Sequence, residues 1–295
     1  MPGLIEPGFF ASAPVHVAIV AGGVVAVVSG VVGTFTVIRG QSFAGHSLAD
    51  IGTAGGSAAV LVGAPTLYGF VAMNVAAAGV MELIGIRRPR GRDLATGIVL
   101  GAALGLAALF LYWDTTVASA SSATVNVLFG SIFTISTATV PIIIVFGFLS
   151  LAVIAAIYRP LLLTSVSHEL SAARGVPVRL IGLGHLLTLS VAVSLSAVTI
   201  GAILSTALLI GPAATALRLT SRTGSAIALA AAIGVATTWA GIVLAYGSAA
   251  WSVDQQGWPV SFCIVAVIGV CYLATSVTTR GPRARSDPAG HREAR

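Results

Sequence analysis

Long apolar runs alternate with short polar breaks along almost the whole chain. Runs rich in Ala, Val, Leu, Ile and Gly cover residues 15–38, 48–63, 65–86, 94–113, 138–158, 180–199, 201–217, 226–247 and 259–277. Each approaches or exceeds the length that a helix needs to cross a bilayer. None shows the short alternating strands of an outer-membrane barrel, so the pattern predicts helices whose backbone groups are satisfied internally. The expected fold is an all-α polytopic membrane protein of about nine transmembrane helices. Residues 1–279 form its membrane domain, and the charged, Pro/Gly-containing stretch 280–295 is expected to be a disordered basic cytoplasmic tail. Two breaks are longer than the rest: a polar stretch at 114–126 followed by a short apolar piece at 128–136, and a polar-rich loop at 161–178.

Composition narrows the class. Of 295 residues, 57% are hydrophobic and only 8% charged, too few charges to cover a soluble domain of this length. All 15 basic residues are arginines, and they cluster at the ends of the apolar runs. A net charge of +6 therefore reads as a topology signal and not as a nucleic-acid surface. With the N-terminus outside and the C-terminus cytoplasmic, every arginine falls on the inner side, while Glu6, Asp114 and Asp254 fall outside. Trp113, Trp251 and Trp258 then sit at the outer boundary, as interfacial aromatics do. The first residues lack a positively charged start, so the first run is expected to be a retained helix. Cys263 and Cys271 are eight apart on one run and read as small packing residues. Gly97, Gly101 and Gly105 recur every fourth residue and are expected to form a stripe for close helix contact.

Candidate chemistry lies in the few ionisable residues at depth. His46 and Asp50 are four apart, one turn on the same helical face. In hydrocarbon both are costly, so they face a cavity, a partner or an ion. Imidazole and carboxylate together suit divalent first-row metals such as Mn, Fe and Zn. The plain alternative is a mutually hydrogen-bonded pair that fixes helix packing. Glu82, five residues before Arg87, either joins a pore or pairs with Arg87 or Arg88 at the inner boundary. His185 stands alone among apolar residues, as a backbone-bonded core histidine or as a ligand. His46, Asp50, Glu82 and His185 could converge from three helices as a metal-binding set. Pro212, after Gly211, is expected to kink its helix. The amphipathic segment 165–180 is either an interfacial helix or a docking helix for a soluble partner.

Several classes drop out. There is no P-loop, so ATP is not bound in that manner, and no nucleophile elbow, HExxH helix or CxxC pair supports an embedded enzyme. No internal repeat supports an inverted-repeat carrier.

Four blocks in order carry a family resemblance over almost the whole chain. They are Phe43 to Asp50, similar to a Phe-Gly-Asp-x-x-x-His block; Leu128-Phe129-Gly130 with its short apolar piece; the loop helix from Glu169 ending in Gly175-Val176; and GAILSTALLIGPAATA at 201–216. In these the chain resembles the permease subunits of bacterial ABC importers for zinc, manganese or iron. Two departures stand out: the acid and the histidine of the first block are exchanged, and Ser131 stands where Asp often follows Leu-Phe-Gly.

The resemblance implies a non-enzymatic permease subunit of the bacterial inner membrane, paired with a second copy. It also implies a cytoplasmic ATP-binding subunit and an extracytoplasmic metal-binding protein as partners. Glu169, Leu170, Ala173 and Gly175 would form the coupling helix on the ATPase. No resident cofactor is expected; the metal ion is cargo. Two rivals are an ABC permease for an iron chelate or cobalamin, and a proton-coupled secondary metal carrier.

Overall fold

The computed structural model describes residues 12–85, 89–116, 121–130, 132–251 and 257–278, with the side chains of 84–85, 89–95, 121–123, 168 and 249–251 excepted. In chain order the helices are α1 (Ala13–Ile38), α2 (Ser42–Leu61), α3 (Thr66–Gly85), α4 (Pro89–Thr116), α5 (Ser121–Phe129), α6 (Thr139–Val166), α7 (His168–Ala173), α8 (Val178–Ile200), α9 (Ala202–Leu219), α10 (Thr223–Trp251) and α11 (Val260–Thr278). A single 3₁₀ turn, Ile132–Thr134, lies between α5 and α6.

Each of the nine apolar runs falls on one of the long helices. Among the described residues, eight are long and apolar enough to cross a membrane. α2 matches them in length, but His46, Asp50 and its serines and glycines make it more polar than the rest. The expected tail at 280–295 lies outside the described residues, as does Ser131.

α1 and α8 form the middle of the bundle. α1 packs on α6, α8, α9 and α10, and α8 on α3, α6 and α9. α4, α6 and α11 turn Leu104, Leu109, Val145, Phe148, Val270 and Leu273 outward, the lipid-facing side of such a bundle. The buried faces combine large apolar side chains such as Phe35, Leu48, Leu189 and Leu195 with small residues and hydroxyls. Ser29 and Ser196 share a hydrogen bond of 2.8 Å between α1 and α8. Asn74 Nδ2 donates to Ser194 Oγ at 2.9 Å, and Ser190 Oγ donates back to the Asn74 carbonyl at 3.1 Å. Lipid cannot compete for these polar groups, so such bonds tie helices together at about 0.6–2 kcal/mol each.

α2 and α3 touch backbone to backbone. A Cβ added at Gly55 would collide with the Gly69 carbonyl, and one at Gly69 with the Gly55 carbonyl. Within this chain the expected stripe at Gly97, Gly101 and Gly105 does not play this part. A Cβ at any of the three meets nothing within 4 Å, and the stripe lies on the open face of α4. Spacing alone does not tell which side of a helix has a neighbour.

A second correction concerns the end of the fifth apolar run, expected at Tyr158. α6 continues through Pro160 to Val166. The helix survives because the residues beyond the proline are anchored: Leu161 and Thr164 are fully buried, and Arg39 Nη1 donates to Thr164 Oγ1 at 2.8 Å. Cys263 and Cys271 are free thiols.

The Gly55–Gly69 approach yields a stability prediction. Gly55→Val should lower the thermal midpoint of the detergent-purified protein by several degrees, whereas Gly101→Ala on the open face of α4 should leave it within a degree or two. Fluorescence-detected size-exclusion after a heating series reads both.

Candidate functional site

The site is built where α1 turns into α2. Arg39 ends α1, and Gly40 follows at φ +66°, a left-handed conformation that costs glycine nothing. The turn satisfies two carbonyls of the last turn of α1: Gly40 N–H donates to Val37 O at 3.1 Å and Gln41 N–H to Thr36 O at 2.9 Å. The chain therefore re-enters helix at Ser42, six residues before the apolar run begins. His46 and Asp50 consequently lie in the first turns of α2, about 6 and 12 Å along its axis from Ser42.

His46 Nε2 lies 3.7 Å from Asp50 Oδ2, and the two side chains are 52% and 28% exposed. The pair thus shares a face, as the spacing predicts, and that face is open. The separation is too long for a direct hydrogen bond. It suits an intervening ion: donors about 2.1 Å from a metal lie roughly 3.0 Å apart across an octahedral edge and 3.4 Å apart across a tetrahedral one. The observed 3.7 Å exceeds the tetrahedral edge by about 0.3 Å and the octahedral edge by about 0.7 Å. The other ring nitrogen, Nδ1, lies 3.3 Å from Thr206 Oγ1 on α9. α9 packs beside α2 here: a Cβ added at Gly45 would stand 2.9 Å from Leu209 Cδ2. Ile203 on α9 is exposed, and Thr206, Ala207 and Ile210 are half-buried; they recur at helical spacing and continue the open face beside His46.

Glu82 and His185 do not join this pair. Glu82, half-buried on α3, lines a separate cavity of about 270 Å³ with Arg39, Gln41, Ala44, Thr96 and Gly182. Phe43 and Ala44 of α2 also line it, whereas neither His46 nor Asp50 does. Arg87 and Arg88, the alternative partners for Glu82, lie outside the described residues. His185 is fully buried in α8, and neither ring nitrogen has a hydrogen-bond partner among the described residues. Among the described residues, no three of His, Cys, Asp and Glu gather into a group able to hold a metal ion. The expected convergence from three helices is therefore not seen; the candidate site in one chain is two ligands on an open face.

The loop helix also takes shape. α7 begins at Ser167, whose side chain accepts from Leu170 N–H at 3.2 Å, and the buried Ser171 Oγ donates to the Ser167 carbonyl at 2.7 Å. Glu169, Leu170, Ala173 and Gly175 are exposed on its outer side. Arg39 ties the preceding end of α6 to the α1–α2 turn, so α7 and the His46 turn share one rigid anchor. The segment Leu128-Phe129-Gly130 packs against Gly201, where α9 begins, and Ser261 Oγ donates to the Phe129 carbonyl.

Sequence reasoning missed Thr206 and Thr164. A threonine inside an apolar run carries no signal of its own; only helix neighbours, here α2 and the α1–α2 turn, give it a role.

Comparison with known proteins places this geometry. Part of the chain is 27% identical over 165 residues to the manganese transport system membrane protein MntC of Listeria innocua, covering 56% of each chain. Another alignment is 29% identical over 142 residues to the manganese import system permease protein ScaB of Streptococcus gordonii, covering 48% of this chain and 50% of that one. The chain spans about half the length of the curated relatives it matches. The fold is similar to PsaBC from Streptococcus pneumoniae in complex with Fab, at TM-score 0.75 and 27% identity over 91% of this chain and 92% of that one. It also matches a candidate metal-chelate type ABC transporter in an inward-facing conformation, at TM-score 0.68 over 92% of this chain and 88% of that one; at 17% identity this likeness shows the fold alone. The description of the ABC 3 transport family matches residues 13–278, nearly every described residue, and the chain belongs to that family.

Proposed function

We propose that the chain is the membrane-spanning permease subunit of an ATP-driven importer for divalent transition-metal ions, with manganese as the first candidate and zinc or iron as the others. The observation that carries this reading is the open His46–Asp50 face, two metal-type ligands 3.7 Å apart on a helix otherwise made of small and apolar residues. The names of the manganese-transport relatives support the same cargo. A wide path for a chelate or cobalamin would need no such ligands.

On this reading the arginine-bearing helix ends face the cytoplasm, and a second copy supplies the other wall of the passage. The ion arrives from an extracytoplasmic binding protein and passes Asp50 and then His46 on its way in. Two protein ligands per copy hold it weakly enough to let it go, which conduction requires. The exposed residues Glu169, Leu170, Ala173 and Gly175 of α7 rest on a cytoplasmic ATP-binding subunit. Movement there is transmitted to the α1–α2 turn through the Arg39–Thr164 hydrogen bond. The chain itself hydrolyses nothing.

The test is uptake of radioactive manganese by cells expressing the full transporter. His46→Ala/Asp50→Ala should reduce initial uptake to near background at normal protein level; undiminished uptake would remove the pair from the mechanism.

His185 and Glu82 supply the contrasting prediction. His185→Leu should retain uptake and raise stability by ~1 kcal/mol, because it removes a buried polar group without a partner. Glu82→Gln should change uptake by no more than about twofold, since Glu82 lines a cavity to which neither His46 nor Asp50 contributes. Loss of uptake in either variant, with the protein still folded, would place that residue in the ion path.

A further inference from the structure

Thr206 has no assigned role. We infer that it is a positioning residue for the permeating metal, fixing His46 so that Nε2 is presented to the ion beside Asp50. This rests on the metal-import reading above and goes beyond it by adding α9 to the site.

The geometry is specific to one nitrogen. A neutral imidazole has one N–H and one lone pair, and the partner of one nitrogen decides what the other offers. Here Nδ1 faces Thr206 Oγ1 at 3.3 Å and Nε2 faces Asp50 Oδ2 at 3.7 Å. With Nδ1–H donating to the hydroxyl, the Nε2 lone pair points toward the carboxylate, where a cation would sit. A histidine that binds metal commonly hands its other N–H to such an acceptor, which fixes both tautomer and ring orientation. His46 is half-exposed and has little packing to hold its ring, so this contact carries more of the orientation than it would in a core.

Thr206 is also set apart from its neighbours. Ser205 Oγ and Thr215 Oγ1 donate back to the Ala202 and Gly211 carbonyls of α9 itself. Thr206 Oγ1 makes no such bond, and its partner among the described residues is the imidazole on α2. The hydroxyl is therefore available to another helix. α9 enters from Gly201 at φ +88° and contains Pro212, so Thr206 lies on the segment between a glycine joint and a proline. Any change in the α2–α9 separation changes the Nδ1 contact before it changes Asp50, which sits on the same helix as His46. The metal affinity of the pair is thereby tied to the position of α9.

The experiment uses the complete transporter with its ATP-binding subunit, and manganese as the probe. Thr206→Val keeps the shape and removes the hydroxyl; Thr206→Ser keeps the hydroxyl. Losing a contact of this kind typically costs about tenfold or more in metal affinity. Thr206→Val should therefore raise the KM for manganese uptake about tenfold with thermal midpoint unchanged, and Thr206→Ser should restore it to within about threefold. In the purified transporter, electron-spin-echo spectra of bound manganese should show nitrogen modulation from the imidazole that Thr206→Val weakens and Thr206→Ser retains. A KM and nitrogen modulation unchanged in Thr206→Val, while His46→Ala loses uptake, would overturn the role of Thr206 and leave the import reading standing. Normal uptake in His46→Ala would instead overturn the reading on which this inference rests.

Discussion

A carboxylate and an imidazole on a helix within the bilayer must be satisfied by water, by an ion or by each other, because lipid offers nothing. That cost organises this structure. Asp50 and His46 are neither sealed in the core nor bonded directly to one another; their side chains stand 3.7 Å apart on an open face. Such an arrangement is poor packing, and on the proposed reading it serves as the passage. It persists because the rest of α2 is held so firmly that its polar face has no route into the bundle.

The firmness comes from close backbone contact. Gly55 lies backbone to backbone against Gly69 on α3, and Gly45 lies beside the Leu209 side chain of α9. On the first turn, the Gly40 turn and the Arg39–Thr164 bond fix where α2 begins and join it to the end of α6. From there the chain leads directly into α7, whose outer face is exposed. The proposed passage and the proposed docking helix thus share one anchor. On the proposed reading, a displacement at α7 needs no long relay to reach the first turns of α2, and α9, bearing Thr206, is the neighbour against which it would register.

Much of this was legible in the sequence. Nine apolar runs mark nine long helices among the described residues, because a helix in lipid must be apolar along most of its length. The His46–Asp50 pair follows from a spacing of four on any helix. The start of α2 was less legible: hydropathy puts it at Leu48, since Ser42, Gly45 and His46 look like loop, whereas the Gly40 turn commits the backbone to helix at Ser42. Pro160 looked like a terminus and is not one, because burial of Leu161 and Thr164 outweighs one lost hydrogen bond. Glu82 and His185 were open to a structural or a ligand reading, and the sequence does not say where their helices bring them: Glu82 lines a cavity without His46 or Asp50, and His185 is buried in α8. The glycines that matter, 55 and 69, are on different helices, and no pattern within one run could pair them. Thr206 was invisible for the same reason.

The most direct test is anomalous scattering from crystals of the assembled transporter grown with manganese. The account predicts a peak on the open face of α2, about 2.2 Å from both His46 Nε2 and Asp50 Oδ2, with the ring's Nδ1 toward Thr206. A peak in the Glu82 cavity instead, or His46 and Asp50 turned toward lipid with no metal between them, would contradict it.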